Sequence, residues 1–216
     1  KDLSVTALKK GASYSLAGSI AGSSQSASVG GAFSLSDMQH DTRATVSNGT
    51  YALTGDATLA AAQNSRIVTA ALSGSVSGSG VAVGGALTYN RIADTTSALL
   101  QHVDMSARNL AIAASQPDLG ASIWSVAFNL AAAGGSAGVG AAVAVNLIDA
   151  ERSAGLFDST VNLTGNATLS SALDGEIWGL GVDAAGGNTA GVGGSIVVNN
   201  ISGSDTVSIE RSALTT

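Results

Sequence analysis

Apolar and polar residues alternate with a period of two along short stretches of the chain. In one stretch Val29, Phe33 and Leu35 alternate with Ala32 and Ser34. This period is typical of a β-strand with one buried face, and clusters of Gly, Ser and Asn between the stretches indicate turns. The sequence therefore predicts an all-β protein. The first quarter of the chain is predicted to hold four short strands, at about residues 2–8, 12–22, 27–38 and 42–54.

The large apolar residues of each strand are expected to face the core. Gly31 lies among them, and Gly85 holds the equivalent place in the next apolar stretch. Because the equivalent positions carry only Gly or Ala, we expect Gly85→Val to crowd the core and to destabilise the fold by about 1–3 kcal/mol.

A second, longer period of about 54 residues runs through the whole chain. A Val-Gly pair followed by a small residue and an apolar strand occurs four times, with its glycine at Gly30, Gly84, Gly140 and Gly193. Three further columns keep the same phase: Ser36, Asn90, Asn146 and Asn199; Met38, Ile92, Ile148 and Ile201; and Tyr14, Val68, Trp124 and Trp178. These columns predict a single repetitive domain of four units, at about residues 1–56, 57–107, 108–166 and 167–216.

Stacking the units explains how such a chain buries its apolar faces, because no unit of this kind can do so alone. We therefore expect a β-solenoid (β-helix) of four repeats, with two turns of about 25–28 residues in each unit and about 4.8 Å between turns. The Asn column would form an amide ladder between neighbouring repeats. The alternative is an antiparallel β meander of stacked hairpins, in which each Gly/Ser cluster is a hairpin turn.

Composition narrows the classes of function. Gly, Ala and Ser make up 98 of the 216 residues, only 4% are aromatic, and there is no Cys, so we expect a thin core without disulfides or thiolate metal sites. The net charge of −6 argues against nucleic acid as a partner. No apolar stretch reaches the roughly 20 residues of a membrane helix, so no membrane insertion is expected. Because the chain opens at Lys1 rather than Met, we expect a piece of a longer chain.

The search for chemistry gives one recurrent polar feature. Carboxylates follow the glycine strand of each unit, at Asp41, Asp94, Asp149 with Glu151, and Asp205. We favour solvated turns over a calcium-binding edge, because Ca²⁺ takes six or more oxygens and each turn offers one or two carboxylates. The sequence thus predicts no catalytic residue, no cofactor and no metal site.

Trp124 and Trp178 allow two interpretations. They share a column, and if the preceding Ile123 and Ile177 face inward, the indoles face outward as a platform on which a sugar could stack. The favoured interpretation is that this column belongs to the core, because Tyr14 and Val68 hold its other places.

The repeat motif resembles that of a known family. The stretch from Gly84 to Ile92, the run from Thr95 to Leu99 and the stretch from Val192 to Ile201 are similar to repeats of very large Gram-negative surface adhesins, including leukotoxin-like filamentous adhesins and autotransporter passengers. The resemblance implies an exported, extracellular β-helical stalk or adhesive surface on the bacterial cell, and it assigns no catalytic residue.

The sequence therefore predicts a structural or adhesive repeat segment of a secreted bacterial surface protein. Its expected partners are neighbouring repeats of the same chain, together with a host surface protein or glycan, or copies of itself. One alternative is a self-assembling filament or matrix subunit, in which apolar strands such as 141–145 pack against other chains. A less favoured alternative is a β-helical polysaccharide-active enzyme, which would need acids clustered on one face.

Overall fold

The computed structural model describes residues 1–115 and 120–216, and the all-β prediction is confirmed for them. The described residues form twelve strands and no helix. The strands are β1 (Leu3–Ser23), β2 (Ser28–Ala52), β3 (Ala57–Ser77), β4 (Ala82–Ala107), β5 (Leu110–Ser115), β6 (Ala121–Ala133), β7 (Ala137–Phe157), β8 (Thr160–Leu163), β9 (Ala167–Ala172), β10 (Gly175–Gly187), β11 (Ala190–Glu210) and β12 (Ala213–Thr215). The four short strands predicted for the first quarter of the chain are two long ones, because the predicted breaks near residues 10 and 40 remain in extended conformation.

The strands form two sheets, and the chain passes back and forth between them. Sheet A contains β1, β3, β5, β6, β9 and β10, and sheet B contains β2, β4, β7, β8, β11 and β12. Every pairing among the described strands is parallel, so the antiparallel meander is wrong for this part of the chain. Each tight Gly/Ser segment connects one sheet to the other instead of closing a hairpin.

Paired strands lie one whole unit apart in the sequence. Leu3 pairs with Ala57, and Ala57 pairs with Leu110. In sheet B, Ser28 pairs with Ala82, which pairs with Gly138. The expectation of turns of about 25–28 residues is therefore wrong: about 54 residues make one pass through sheet A and one through sheet B. The reason is strand length, because a strand of 21 residues spans about 70 Å and uses half a unit in a single pass.

Near the Gly/Ser connections, the faces of the strands are opposite to those expected from hydrophobic alternation. In β2, Gly30, Ala32 and Ser34 face the other sheet, whereas Val29 and Phe33 are exposed on the outside. The same holds in β4, where Ala82 and Ala86 are buried and Val83 is exposed. Small side chains fill the interior because the two sheets approach each other closely here, and only small groups fit between them.

The interior widens from one end of the strands to the other. Around Ala82 and Ala131, near the Gly/Ser connections, the buried apolar residues are all alanines. At the opposite end Leu59, Leu100 and Met105 belong to the largest buried cluster. The cross-section is therefore a wedge, whose thick end holds most of the large buried side chains.

A corner of left-handed backbone lies at the thick end of every unit. Four non-glycine residues have positive φ there: Asn48 (56°), His102 (53°), Asp158 (46°) and Arg211 (47°). Asp158 lies between two of these residues, with His102 Nε2 at 3.7 Å and Arg211 Nη2 donating to Oδ2 at 2.9 Å. The Arg211 hydrogen bond is the main reason that the pKa of Asp158 is lowered. These contacts join neighbouring strands at positions where the left-handed backbone conformation of a non-glycine residue costs energy.

Two neighbouring glycines test the orientation of the strands. A Cβ added to Gly84 would collide with the Asn129 side chain, whereas one added to Gly85 would meet only the Ala141 carbonyl oxygen, at 4.0 Å. The sequence-based expectation for Gly85 is therefore wrong. We expect Gly84→Val to lower the free energy of unfolding by about 2 kcal/mol or more and Gly85→Val to change it by less than about 0.5 kcal/mol. Urea unfolding of the matched pair measures both, and equal losses would contradict the assigned faces.

Candidate functional site

The glycine column lies where the two sheets approach each other closely. Gly30, Gly84, Gly140 and Gly193 lie in register on neighbouring strands of sheet B. A Cβ on Gly30 would stand 2.7 Å from the Gly74 carbonyl oxygen, and one on Gly140 or Gly193 would collide with the Asp183 carboxylate. Glycine is needed at these positions because polar groups of sheet A occupy the space of a side chain.

The asparagine column forms a ladder inside the molecule. Asn90 Nδ2 donates to Asn146 Oδ1 at 2.8 Å, and Asn146 Nδ2 donates to Asn199 Oδ1 at the same distance. Ser36 continues the column at its start and lies 2.6 Å from Ser13 Oγ across the interior. A buried amide needs such partners, so the ladder ties the units together in one register.

The isoleucine column packs against sheet A beside this ladder. Ile92 and Ile148 are fully buried and contact Ile67 and Ile123 from the facing strands. Ile201, the last member, is nearly half exposed because it lies on the outermost strand of sheet B. The three columns therefore have structural roles and bring no reactive group together.

The tryptophan column lies outside the core. Trp124 is 42% exposed and Trp178 is 44% exposed, whereas Ile67 and Ile123 beside them are fully buried. The favoured assignment of this column to the core is therefore wrong, and the physical reason is the close approach of the sheets, which leaves no room for an indole. The ring centroids are 5.7 Å apart at an interplanar angle of 31°, so the rings pack against each other and do not lie flat as a shared sugar platform.

The two indoles belong to a larger apolar surface on the outside of sheet A, which we call the outer aromatic face. Its exposed members are Tyr14, Leu16, Ile20, Leu72, Trp124, Phe128, Leu130, Trp178 and Leu180. Next to Gly18 and Gly74 the face sinks into a depression of about 680 Å³, walled by Ile20, Phe128 and Leu130. Contiguous exposed apolar surface of this kind marks sites of interaction in soluble proteins. Alternation alone gave no signal for it, because alternation does not say which face is outside.

The carboxylates predicted to follow each glycine strand do not form one column. Asp41, Asp149 and Glu151 are exposed on the outside of sheet B, around an open depression of about 380 Å³. Asp94 is buried between the sheets, and Asp205 turns toward sheet A, where it accepts a hydrogen bond from Ser171 Oγ at 2.9 Å. The described residues contain no group of three or more His, Cys, Asp or Glu side chains that could hold a metal ion. All of these residues lie within strands, so the solvated-turn interpretation is wrong as well.

Ionisable groups in the interior form a cluster that the sequence did not reveal. His40 Nδ1 lies 3.6 Å from Asp94 Oδ1 and 3.2 Å from Ser65 Oγ. Arg152 is 2% exposed, and its guanidinium makes no hydrogen bond to any described residue. Burial lowers the pKa of Arg152, an effect opposed by the negative charges of Asp205, Asp94 and Asp174. The cluster is electrostatically costly, because buried charges need close partners to offset their lost hydration.

No helix able to cross a membrane occurs among residues 1–115 and 120–216. Comparison of the chain with protein-family models, with curated proteins and with solved structures gave no match. Function is therefore inferred from the surfaces and contacts of the molecule itself.

The exposure of the indoles is directly measurable. We expect acrylamide to quench the fluorescence of both tryptophans efficiently in the native state, because each residue has more than a third of its surface exposed to water. The single-tryptophan variants Trp124→Phe and Trp178→Phe separate the two signals. Weak quenching that rises sharply on denaturation would show instead that the rings are buried.

The buried carboxyl gives a pH-dependent prediction. Burial raises the pKa of Asp94, and the hydrogen bond from Ser65 and the charges of His40 and Arg152 reduce that shift. A carboxyl whose pKa is raised on folding stabilises the fold below its unfolded pKa and loses that contribution as pH rises through the folded value. We expect Asp94→Asn to unfold at a higher temperature than the wild type at pH 7, and to lose this advantage at acidic pH, where the carboxyl is protonated in both states.

The matched control for this measurement is Asp149→Asn, which changes an exposed carboxylate on the same sheet. Its melting temperature should follow that of the wild type across the pH range. An Asp94→Asn variant that melts lower than the wild type at pH 7 would mean that the carboxylate is a net stabilising partner of Arg152.

Proposed function

We propose that the chain is a β-solenoid of four units and acts as a structural and adhesive segment of a secreted bacterial surface protein. Parallel pairing at an offset of one unit supports the solenoid, because each strand of a unit is hydrogen-bonded to its equivalents in the neighbouring units. The ladder of Asn90, Asn146 and Asn199 supports the four-unit division in the same way.

The outer aromatic face is the observation that carries the adhesive role. Large apolar residues are exposed to water on the outer side of a broad sheet. Main-chain hydrogen bonds between its strands hold this surface rigid. A rigid surface loses little conformational freedom when it binds. Aromatic groups such as Trp124, Phe128 and Trp178 contribute strongly at protein interfaces. A protein or glycan on a host surface is the partner that such a face would contact from the bacterial cell surface.

The acids that a polysaccharide-active enzyme would use lie apart from the outer aromatic face. Glycoside hydrolysis uses two carboxyl groups on either side of the scissile bond. Here Asp41, Asp149 and Glu151 lie around an open depression on the outside of sheet B, and the largely buried Asp94 also contributes to its lining. The outer aromatic face, where a ligand would dock, is on the opposite sheet and lacks such a pair among its members.

Adhesion of coated beads tests the proposal. Beads carrying the wild-type chain are expected to bind host-cell monolayers above the level of albumin-coated beads. The double variant Trp124→Ser/Phe128→Ser should lose most of that excess, because it removes two aromatic anchors from the outer aromatic face. Circular dichroism verifies that the variant remains folded.

The matched control is Val83→Ser/Val139→Ser, which removes two exposed apolar side chains from the outside of sheet B. It should bind like the wild type. Equal loss in both double variants would point to general stickiness, and release of reducing ends from a polysaccharide panel would favour the enzyme. Either result would overturn the assignment of adhesion to sheet A.

A further inference from the structure

The inner strands of sheet A turn only apolar residues outward at the end that carries the Gly/Ser connections. On β6 the outward positions hold Trp124, Val126, Phe128, Leu130 and Ala132. The neighbouring strand β3 has apolar residues or glycine at every outward position from 68 to 76. Both strands are paired with a strand on either side, so this surface does not depend on the outermost strands of the sheet.

The outside of sheet B repeats this arrangement at the same end of the molecule. The outward positions of β7 hold Val139, Ala141, Val143, Val145 and Leu147. On β4, the other inner strand, positions 83, 85, 87 and 89 carry Val, Gly, Leu and Tyr. The molecule is therefore apolar on two opposite outer faces.

The interior at this end is polar, in contrast to its outside. Ser73, Ser75 and Ser125 of sheet A are buried between the sheets, as are Thr88 and Asn90 of sheet B. Proteins in water keep most polar side chains on their surface, whereas proteins that face lipid alternate apolar residues outward with polar residues inward. The inner strands show the second pattern here.

Charge is almost absent from this end of the molecule. We call it the neutral end and define it as residues 12–36, 67–90, 121–148 and 177–204. The chain has 9 basic and 15 acidic residues, and the neutral end contains only one of them, Asp183. Asp183 points inward, where its Oδ1 accepts a hydrogen bond from Asn129 at 2.6 Å. The outer surface of the neutral end therefore carries no charged side chain.

Aromatic residues mark the boundary of the neutral end, and charged residues follow directly. Trp124 is the first apolar outward residue on β6, and Tyr89 is the last on β4. The next outward column holds Arg66 on sheet A and Arg91 on sheet B. Trp and Tyr are enriched at the level of lipid headgroups, where one side of the ring is apolar and the other is wet. The order of apolar, aromatic and charged residues along the strands thus follows the order of layers in a bilayer.

The length of the neutral end matches the hydrocarbon layer of a bilayer. β6 runs for about 30 Å from Trp124 to Ala133, and β4 runs for about 23 Å from Ala82 to Tyr89. The hydrocarbon core of a bilayer is about 30 Å thick. The main-chain groups of the inner strands are paired with neighbouring strands on both sides, as a hydrocarbon environment requires.

A lipid bilayer fits this surface better than a protein does. A protein partner would cover one outer face and leave the other in water, whereas a bilayer surrounds both faces at once. Basic and acidic residues are mixed at the boundary, with Glu176 in the column of Arg66 and Asp37 in the column of Arg91. The charges therefore complement a zwitterionic headgroup layer, and anionic lipid is not needed.

We propose that the neutral end inserts into a lipid bilayer, with its Gly/Ser connections leading, Trp124 and Tyr89 at headgroup level and the charged end in water. The sequence-based expectation of no membrane insertion considered only continuous apolar stretches of helix length. In a strand alternate residues face outward, so a strand that faces lipid has no such stretch. Insertion does not rest on the adhesive role, because it needs both outer faces, whereas adhesion uses sheet A alone. A bilayer and a host partner would compete for the outer aromatic face.

Flotation with phosphatidylcholine vesicles tests the insertion. The wild type should float with the vesicles at low and at high salt. Phe128→Lys on sheet A and Ala141→Lys on sheet B should each weaken binding by more than about tenfold, because an ammonium group near the middle of the hydrocarbon layer is costly. The matched control is Thr95→Lys, on the outside of sheet B beyond Arg91, which should bind like the wild type. Circular dichroism verifies that each variant remains folded.

The pair of variants on opposite faces decides what the surface contacts. A wild type that does not float would overturn the proposal. Loss of binding in Phe128→Lys but not in Ala141→Lys would mean that one face docks without insertion, and it would overturn the proposal too. The same holds for oligomers that form without lipid in sedimentation velocity and that Phe128→Lys dissociates, because a second copy of the chain would then be the partner.

Quenching by brominated lipids tests the depth and the direction of insertion. Trp178→Phe leaves Trp124 as the single tryptophan, and Phe128→Trp in the Trp124→Phe/Trp178→Phe background places it about 13 Å further along β6. Lipid brominated near the headgroup should quench Trp124 more strongly, and lipid brominated near the chain end should quench the tryptophan at position 128 more strongly. Equal depths, or the reverse order, would overturn the proposal. Vesicles contain no host protein or glycan, so failure of bead adhesion would not affect either readout.

Discussion

The close approach of two parallel sheets is the constraint on which the rest of this structure depends. Long strands pair with strands one unit away, and the space between the sheets at their thin end admits little more than a hydrogen atom or a methyl group. Gly84 shows the limit, because the Asn129 side chain from the other sheet occupies the place of its Cβ. The large apolar residues that alternate with these small ones at the thin end therefore lie on the outer faces of the sheets.

This constraint reverses the usual assignment of faces at the thin end of the sheets. Hydrophobic alternation correctly located extended backbone, and the period of about 54 residues correctly located positions that are in register, such as Gly30 with Gly84 and Trp124 with Trp178. Neither the alternation nor the repeat period predicts the distance between the two sheets. The burial of large apolar groups assumes a wide core, and for that reason sequence reasoning placed Gly85 and the indoles inside. A column of glycines aligned with a polar column on the opposite strand is the signal that could have indicated the reverse.

The interior cluster around Arg152 was missed for a related reason. Its members are distant in the sequence, and they hold different columns: Arg152 replaces Thr96 in its column, whereas Asp94 is in register with His40 and Ala150. A sequence repeat identifies positions that carry similar residues in every unit, whereas the residues of this cluster differ from their equivalents in the other units. The carboxylates were expected to form one column, because they lie at similar distances from the glycine anchor. Asp94 and Asp149 differ by one position in register, however, and so face opposite sides of the sheet. A one-residue slip in a strand changes the face on which a side chain lies.

The offset of one unit between paired strands also determines how such a chain reaches its native state. Every strand pairing within residues 1–115 and 120–216 joins residues 53 to 57 positions apart, so this part of the chain offers no hairpin as a local nucleus. Loops of this length must close before the first hydrogen bonds between strands form, which makes the meeting of two units the slow step. Once that pair exists, its exposed edge is a template to which the next unit adds with less entropic cost. Folding of this architecture is therefore expected to be sequential, with a rate set by initiation and nearly independent of the number of units that follow.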